Sequence, residues 1–384
     1  MKIKFVKYCF ITFLMLFAFA VQAQKFKTTT KGILDGWSTF NFNEKVDCQF
    51  GVRFIPTINI EKSLNEKLKF DFEGSFNSTT FWFYKDWEFQ DNFDNIRPYR
   101  LWARLSSNQF ELRVGLQKIN FGTASILRPL MWFDQVDPRD PLQLTTGVNG
   151  ILGRYYFKNN ANIWIWTLYG NDNIKGWEVI ESEKDKPEIG GRIQFPIPKG
   201  EAGVSIHHRT ANLNSFILDS TEHRMFPENK IGIDGKWDLG VGLWFELVVK
   251  KNEITKIPRP MLYEHSFTLG LDYTFGLGNG LNVLTEFFYL SQSDNLFASD
   301  KFAKFSSFSI NYPLDLMNNI STIVFYNWND QSLYRFINFQ RTYDYWSFYL
   351  MAFWNPESFK LFNYNAEQNL FAGKGLQLMA VYNF

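Results

Sequence analysis

From about residue 33 to its end the chain alternates apolar and polar residues with a period of two, and both faces of that alternation carry information. Across 48–61 one face reads Phe50, Val52, Phe54, Pro56, Ile58 and Ile60. The other reads Gln49, Arg53, Thr57, Asn59 and Glu61. Across 67–76 Leu68, Phe70, Phe72, Gly74 and Phe76 oppose Lys67, Lys69, Asp71, Glu73 and Ser75. The pattern returns at 110–117, 189–195, 241–249, 267–275 and 347–354. A period of two places successive side chains on opposite faces of a strand. Such strands need an apolar surrounding on one side and water or polar neighbours on the other.

The last strand is the most explicit. Leu376, Leu378, Ala380, Tyr382 and Phe384 share one face, and Gln377 and Asn383 lie on the other. An apolar face that ends on a terminal Phe suits the closing strand of a barrel with lipid outside and water inside. The first residues agree with export. Lys2, Lys4 and Lys7 form a basic start, 10–19 an apolar run, and Val21-Gln22-Ala23 a small-residue cleavage site. Residues 1–23 therefore read as a signal peptide and 24–384 as the mature domain. The apolar run is shorter than the ~20 residues a spanning helix needs.

Removing those three lysines takes the formal charge from +1 to −2, too little positive charge for a nucleic-acid partner. Cys48 is then the one cysteine left, so no internal disulfide forms. Aromatic residues make up 19% of the chain while mean hydropathy is only −0.23. Aromatic girdles around a polar interior reconcile these two values. A soluble sandwich, propeller or lectin also alternates. It would have to hide every apolar face in a core, and a chain this long normally splits into domains to do so.

Short connectors at 106–109, 158–162, 197–201, 238–239 and 276–280 alternate with long ones at 77–97, 120–146, 170–187, 210–228 and 355–373. The expected fold is an all-β, antiparallel, up-and-down transmembrane barrel of about 18 strands, with 16 as second choice. No further domain or repeat interrupts it.

If the apolar faces meet lipid, the opposite faces line a lumen. The first half then supplies Arg53, Arg100, Arg104, Arg113, Arg154, Arg192 and Arg209, and the second half Asp234, Glu246, Asp272 and Glu286. Two readings stand side by side: a basic wall facing an acidic wall, which sets up a transverse field for solutes, or pairing between neighbouring strands that fills the lumen. The loop at 120–146 is too apolar to sit in water, with Ile126, Leu127, Leu130, Met131, Trp132 and Phe133. It is expected to fold inward as a constriction carrying Arg128, Asp134, Asp137, Arg139 and Asp140, with a rim-capping loop or a protein contact as the alternative. Asp137-Pro138 and Asp140-Pro141 read as turn starters rather than calcium ligands.

The signal peptide, the alternating strands, Tyr382-x-Phe384 and the long loop after an early strand resemble Gram-negative outer-membrane porins. The run Arg113-Val-Gly-Leu-Gln117, then Asn120-Phe-Gly122, then Asp137-Pro138, is similar to an arrangement in porin-like proteins of the alginate-export and phosphate-porin kind. The resemblance implies outer-membrane location and passage of small hydrophilic solutes. It also implies recognition of the closing strand (Leu378, Ala380, Tyr382, Phe384) by barrel-assembly machinery, and leaves room for a homo-oligomer or protein partner.

Other functions find less support. Ser205 and His207 share a strand face but run parallel about 7 Å apart, too far for a nucleophile–base pair of a lipid esterase. His207, His208 and His223 show no convergence toward a metal. Gly276-Leu-Gly278-Asn-Gly280 precedes a strand, so it reads as a turn and not a dinucleotide loop. No cofactor is expected. The main alternative to a channel is a plugged accessory barrel serving a surface export or assembly machine.

Overall fold

The computed structural model describes residues 26–42, 46–213, 225–253, 262–357 and 371–384; the expected signal peptide lies outside them. The strands are β1 (Lys27–Phe42), β2 (Val46–Ser63), β3 (Lys69–Lys85), β4 (Glu88–Ser106), β5 (Phe110–Gln117) and β6 (Val148–Tyr156). They continue as β7 (Asn162–Leu168), β8 (Glu188–Ile197), β9 (Gly200–Asn212), β10 (Met225–Asp238), β11 (Gly242–Asn252) and β12 (Tyr263–Phe275). The last six are β13 (Leu281–Ser293), β14 (Lys301–Pro313), β15 (Asn318–Asn327), β16 (Ser332–Thr342), β17 (Trp346–Trp354) and β18 (Lys374–Asn383). Each pairs antiparallel with its neighbours in sequence, and β18 returns to β1, so one 18-stranded sheet closes on itself. The all-β barrel of 18 strands expected from the alternation is what the chain forms.

Alternation decides which face turns inward. On β9, Val204 and Ile206 point out at 40% and 55% exposure, while Ser205, His207 and Arg209 point in, almost wholly buried. An outer face so apolar, repeated around a closed sheet, far exceeds the patches a water-soluble surface carries. At the seam, Ile33 to Asn41 of β1 pair with Asn383 to Gly375 of β18. Gly32 and Phe384 exchange backbone hydrogen bonds of 2.9 and 3.1 Å. The Phe384 ring lies over Gly32, where a Cβ would meet it at 2.4 Å, and stacks on Phe54 with centroids 6.0 Å apart. Leu376, Leu378, Ala380 and Tyr382 face outward with it, and Gln377 turns inward to donate to Thr39.

One expected connector is absent. Residues 77–97 are not a loop: β3 runs on to Lys85, β4 starts at Glu88, and a two-residue turn, Asp86-Trp87, joins them. Both turn residues have positive φ, 51° and 67°, as the tightest hairpins require. The run Phe81-Trp82-Phe83-Tyr84 is apolar on both faces, and across 88–95 Phe89 and Phe93 stand alone among polar residues, which erases the period. Pro98 also looks like a strand breaker, but the register slips between Ser75↔Arg100 and Phe76↔Pro98, so a bulge accommodates it.

Every turn at the end of the barrel that holds the C-terminus is short. At the other end two connectors are long throughout their described course: the β5–β6 loop (118–147) and the β7–β8 loop (169–187).

Candidate functional site

The β5–β6 loop turns into the barrel and crosses to the inner faces of β11, β12 and β13. Local sequence permits the close approach. Gly122 adopts φ +101°, and a Cβ there would meet Glu246 Oε1 at 2.3 Å. Thr123, Ala124 and Ser125 are small enough for their backbone to reach the wall. Glu246 on β11 accepts the N–H groups of Thr123 (2.6 Å), Ala124 (2.8 Å) and Leu130 (2.8 Å). Glu286 on β13 accepts those of Ser125 (2.6 Å), Ile126 (3.0 Å) and Leu127 (2.6 Å), and the Trp244 indole N–H at 2.9 Å. Between them the Thr268 hydroxyl donates to the Leu127 carbonyl at 2.5 Å. Both carboxylates are buried, at 0% and 1% exposure, and no hydrogen bond to either comes from a cationic side chain among the described residues.

Apolar contacts complete the seat. Phe121, Leu130, Trp132 and Phe133 pack with Leu152, Trp166, Leu168 and Val248. Leu127 packs with Phe288, Phe325, Tyr334, Phe336, Met351 and Phe353. Farther along, Arg139 pairs with Asp137 at 2.6 Å and lies over the Phe371 ring at 4.9 Å. Asp137 also accepts the Arg139 N–H and Asp140 the Leu142 N–H, so both carboxylates act as turn starters. Among the described residues no cluster of metal-ligating side chains forms.

The β7–β8 loop packs behind it. Gly176 (φ +51°) comes so close to the Met131 carbonyl that a Cβ would sit 1.7 Å away. Trp177 donates to the Arg128 carbonyl at 2.7 Å and stacks on Phe288. Buried Glu178 faces Lys175 (3.5 Å), Arg209 (3.0 Å) and Lys230 (3.0 Å). Burial opposes its charge, but these cations outweigh it and hold its carboxyl below the usual range. Arg209 and Lys230 share Glu228, and Lys175 reaches Glu188 at 2.9 Å.

The inner-face arginines are mostly paired close by. Arg53 meets Asp35 (3.0 Å), Arg104 meets Asp71 (2.9 Å), and Arg113 (2.9 Å) and Arg154 (3.6 Å) both meet Glu111. Arg192 reaches across β9 to Asp234 at 2.6 Å. Asp272 lies on the inner face of β12 near Gly242. The picture of a basic wall against an acidic wall therefore fails. Asp234 is neutralised by Arg192, and Glu246 and Glu286 are covered by the loop, because buried charges persist only when paired or hydrogen-bonded. Asp35, Glu188, Glu228 and Lys230 were missed in the sequence, although the parity rule that selected the arginines also selects them; the pairing of Glu111 with Arg113 follows from their positions on one strand face. Glu178 lies in a loop, where no period points to it.

One stretch keeps an unbalanced charge. A cavity of about 390 Å³ lies beside the loop, lined by Lys118, Asn120, Arg128, Gln143 and Thr145 among others. Arg100 is close, donating to the Thr145 hydroxyl at 2.5 Å. Asp134 lies 4.0 Å from Arg128 and is 1% exposed, and burial raises its pKa. Arg100, Lys118 and Arg128 thus gather around Asp134, while Glu246 and Glu286 behind the cavity wall are taken up by backbone N–H groups.

Ser205 and His207 do not form a dyad. The Ser205 hydroxyl accepts from Arg192 at 3.0 Å. His207 lies 3.1 Å from Glu188 through Nε2 and accepts the Trp166 N–H at 3.2 Å through Nδ1, so both ring nitrogens are engaged.

The sequence matches no family model and no curated protein. Solved structures match along nearly the whole chain. OccAB1 of Acinetobacter baumannii superposes with a TM-score of 0.55 at 10% identity, over 94% of this chain and 98% of that one. An anion-selective porin from Comamonas acidovorans gives 0.52 at 12% identity, over 94% and 100%. OmpF of Salmonella typhi, in complex with daunomycin, gives 0.50 at 11% identity, over 93% and 98%. At these identities the likeness is one of fold: the closed barrel is that of outer-membrane porins.

Proposed function

We propose that this chain is an outer-membrane channel for small hydrophilic solutes, with the β5–β6 loop as its constriction and residues 1–23 as its export signal. The observation that carries the reading is the cavity beside that loop, polar along much of its lining and placed inside a barrel with an apolar outer face. Arg128, Asp134, Asp137, Arg139 and Asp140 then border the narrow part, and the inner arginines and their carboxylates line the approach. Arg100, Lys118 and Arg128 against Asp134 leave local positive charge, which favours anions over cations. The closing strand, from Leu378 to Phe384, supplies the outer residues that assembly machinery and lipid would meet.

The test is conductance of refolded protein in planar bilayers, with the reversal potential read in a salt gradient. Steady conductance with anion preference is the expected result. A correctly folded barrel, verified by heat-modifiable migration, that conducts nothing would overturn the channel reading.

One observation favours the plugged accessory barrel instead: the two inner loops pack on each other and on the wall through extensive buried contacts. That reading predicts a closed barrel that co-purifies with a partner. The esterase reading loses its support with the engaged nitrogens of His207.

A further inference from the structure

Among the described residues the upper part of β4 pairs on one side only. β3 and β4 pair from Lys69↔Ser106 up to Lys85↔Glu88, but β5 pairs only with Leu101–Ser106. Residues 88–100 therefore form a hairpin edge that rises past the end of β5. The side chains from Glu88 to Asp94 are all exposed, and Ile96 is 75% exposed. Phe93 stacks on Phe81 with centroids 4.9 Å apart and Phe89 meets Tyr84 at 5.8 Å, so the hairpin is ordered by its own rings. A free strand edge offers a row of unpaired N–H and C=O groups, the template onto which another strand adds.

The charges select what fits. Glu88, Asp91 and Asp94 stand against Arg97 alone along 88–97. The Asp91 and Asp94 carboxylates accept hydrogen bonds from Asn92, and no ion pair among the described residues neutralises them. A second copy of this chain does not fit. Two barrels in one membrane, related by an axis along its normal, present their β4 edges running the same way up, which forbids antiparallel zipping. Facing rows of carboxylates would also repel. Pro98 and the bulge at Tyr99 end the edge at its base.

We infer that the free β4 edge over 88–97 receives an extended, basic segment of a different polypeptide as an added antiparallel strand. Backbone hydrogen bonds supply the attachment and the carboxylates supply the selection. This site lies outside the cavity beside the inner loop and stands whether or not the barrel conducts.

The test uses the full chain refolded in nanodiscs and three labelled ten-residue peptides, followed by fluorescence anisotropy. One alternates Lys and Val, one alternates Glu and Val, and one is the Lys–Val peptide with alternate backbone nitrogens methylated. The Lys–Val peptide is expected to bind at least about tenfold tighter than either other, a gap of about 1.4 kcal/mol. The Asp91→Lys, Asp94→Lys double variant, checked for heat-modifiable migration, is expected to reverse the preference between Lys–Val and Glu–Val. Equal binding of the methylated peptide would show a charged surface without strand addition and overturn the inference. Failure of every peptide to bind would show the carboxylates to be guards against edge aggregation, and would overturn it too.

Discussion

Glu246 and Glu286 hold the β5–β6 loop through six of its backbone N–H groups, whereas Glu178 ties the β7–β8 loop down through the side chains of Lys175, Arg209 and Lys230. Both clusters are buried on the inner wall, and both anchor a loop inside the barrel. The first depends on where the backbone runs and tolerates many side chains, provided Gly122 and its small neighbours allow the approach. The second depends on the identity and charge of each partner. Removing a carboxylate from the first orphans a row of donors; removing it from the second leaves cations crowded together.

The largest effect is expected from removing both carboxylates of the first cluster. Glu246→Ala with Glu286→Ala leaves six backbone donors and the Trp244 indole N–H unsatisfied at about 1–3 kcal/mol each. The loop should leave the wall, and single-channel conductance should rise several-fold with added noise. Unchanged conductance would mean that the apolar seat around Leu127 and Trp132 suffices.

Glu178→Gln comes next. Its three cations keep Glu188 and Glu228 as partners, so the cost stays below the about 3–5 kcal/mol of a buried pair broken outright. Protease cleavage within 169–187 should accelerate and the unfolding midpoint fall, with a smaller change in conductance than the first variant gives. If conductance changes as much, the two loops move as one unit.

A smaller effect falls on selectivity. Arg100→Ala with Arg104→Ala removes one of the cations near Asp134 and leaves Asp71 with Lys69 alone, so the reversal potential should shift toward cations by a few-fold in permeability ratio. An unshifted potential would move the selective point away from the Arg100 side.

Acid should separate the two loops more gently. The Asp134 pKa is raised by burial, so its carboxyl takes up a proton as pH falls toward the ordinary aspartate value of about 3.9, before that value is reached. Loss of that negative charge should strengthen the proposed preference for anions. The sign for Glu178 is opposite. Its depressed pKa keeps the β7–β8 anchor intact above the ordinary glutamate value of about 4.3 and loses it only below. Over the same descent, then, selectivity should change while the β7–β8 loop stays resistant to protease. Simultaneous change in both would break the contrast.

The same contrast explains what could be read in the sequence. The barrel was legible because each strand repeats one rule, and 204–209 obey it as cleanly as 376–384. The inward arginines were legible by that rule too. Their partners follow from it, but which pairs form does not, since Arg192 passes over a strand to reach Asp234. The role of Glu246 and Glu286 was out of reach, because the donors they bind are backbone groups that every residue but proline carries. The β3–β4 hairpin was hidden for a different reason: its apolar residues occupy both faces, so no period survives.

The seam between β1 and β18 has a consequence in time. Gln377 and Thr39 bond across 338 positions of sequence, and Phe384 settles on Gly32 farther apart still. A contact of that separation is the slowest kind to form, since loop closure over the whole chain precedes any return from it. The barrel therefore stays an open ribbon with two sticky margins until its final residue is in place. Truncating even the last ring would lengthen that exposed interval, so a defect at Phe384 should appear in the yield of assembled barrel sooner than in the stability of barrels that have closed.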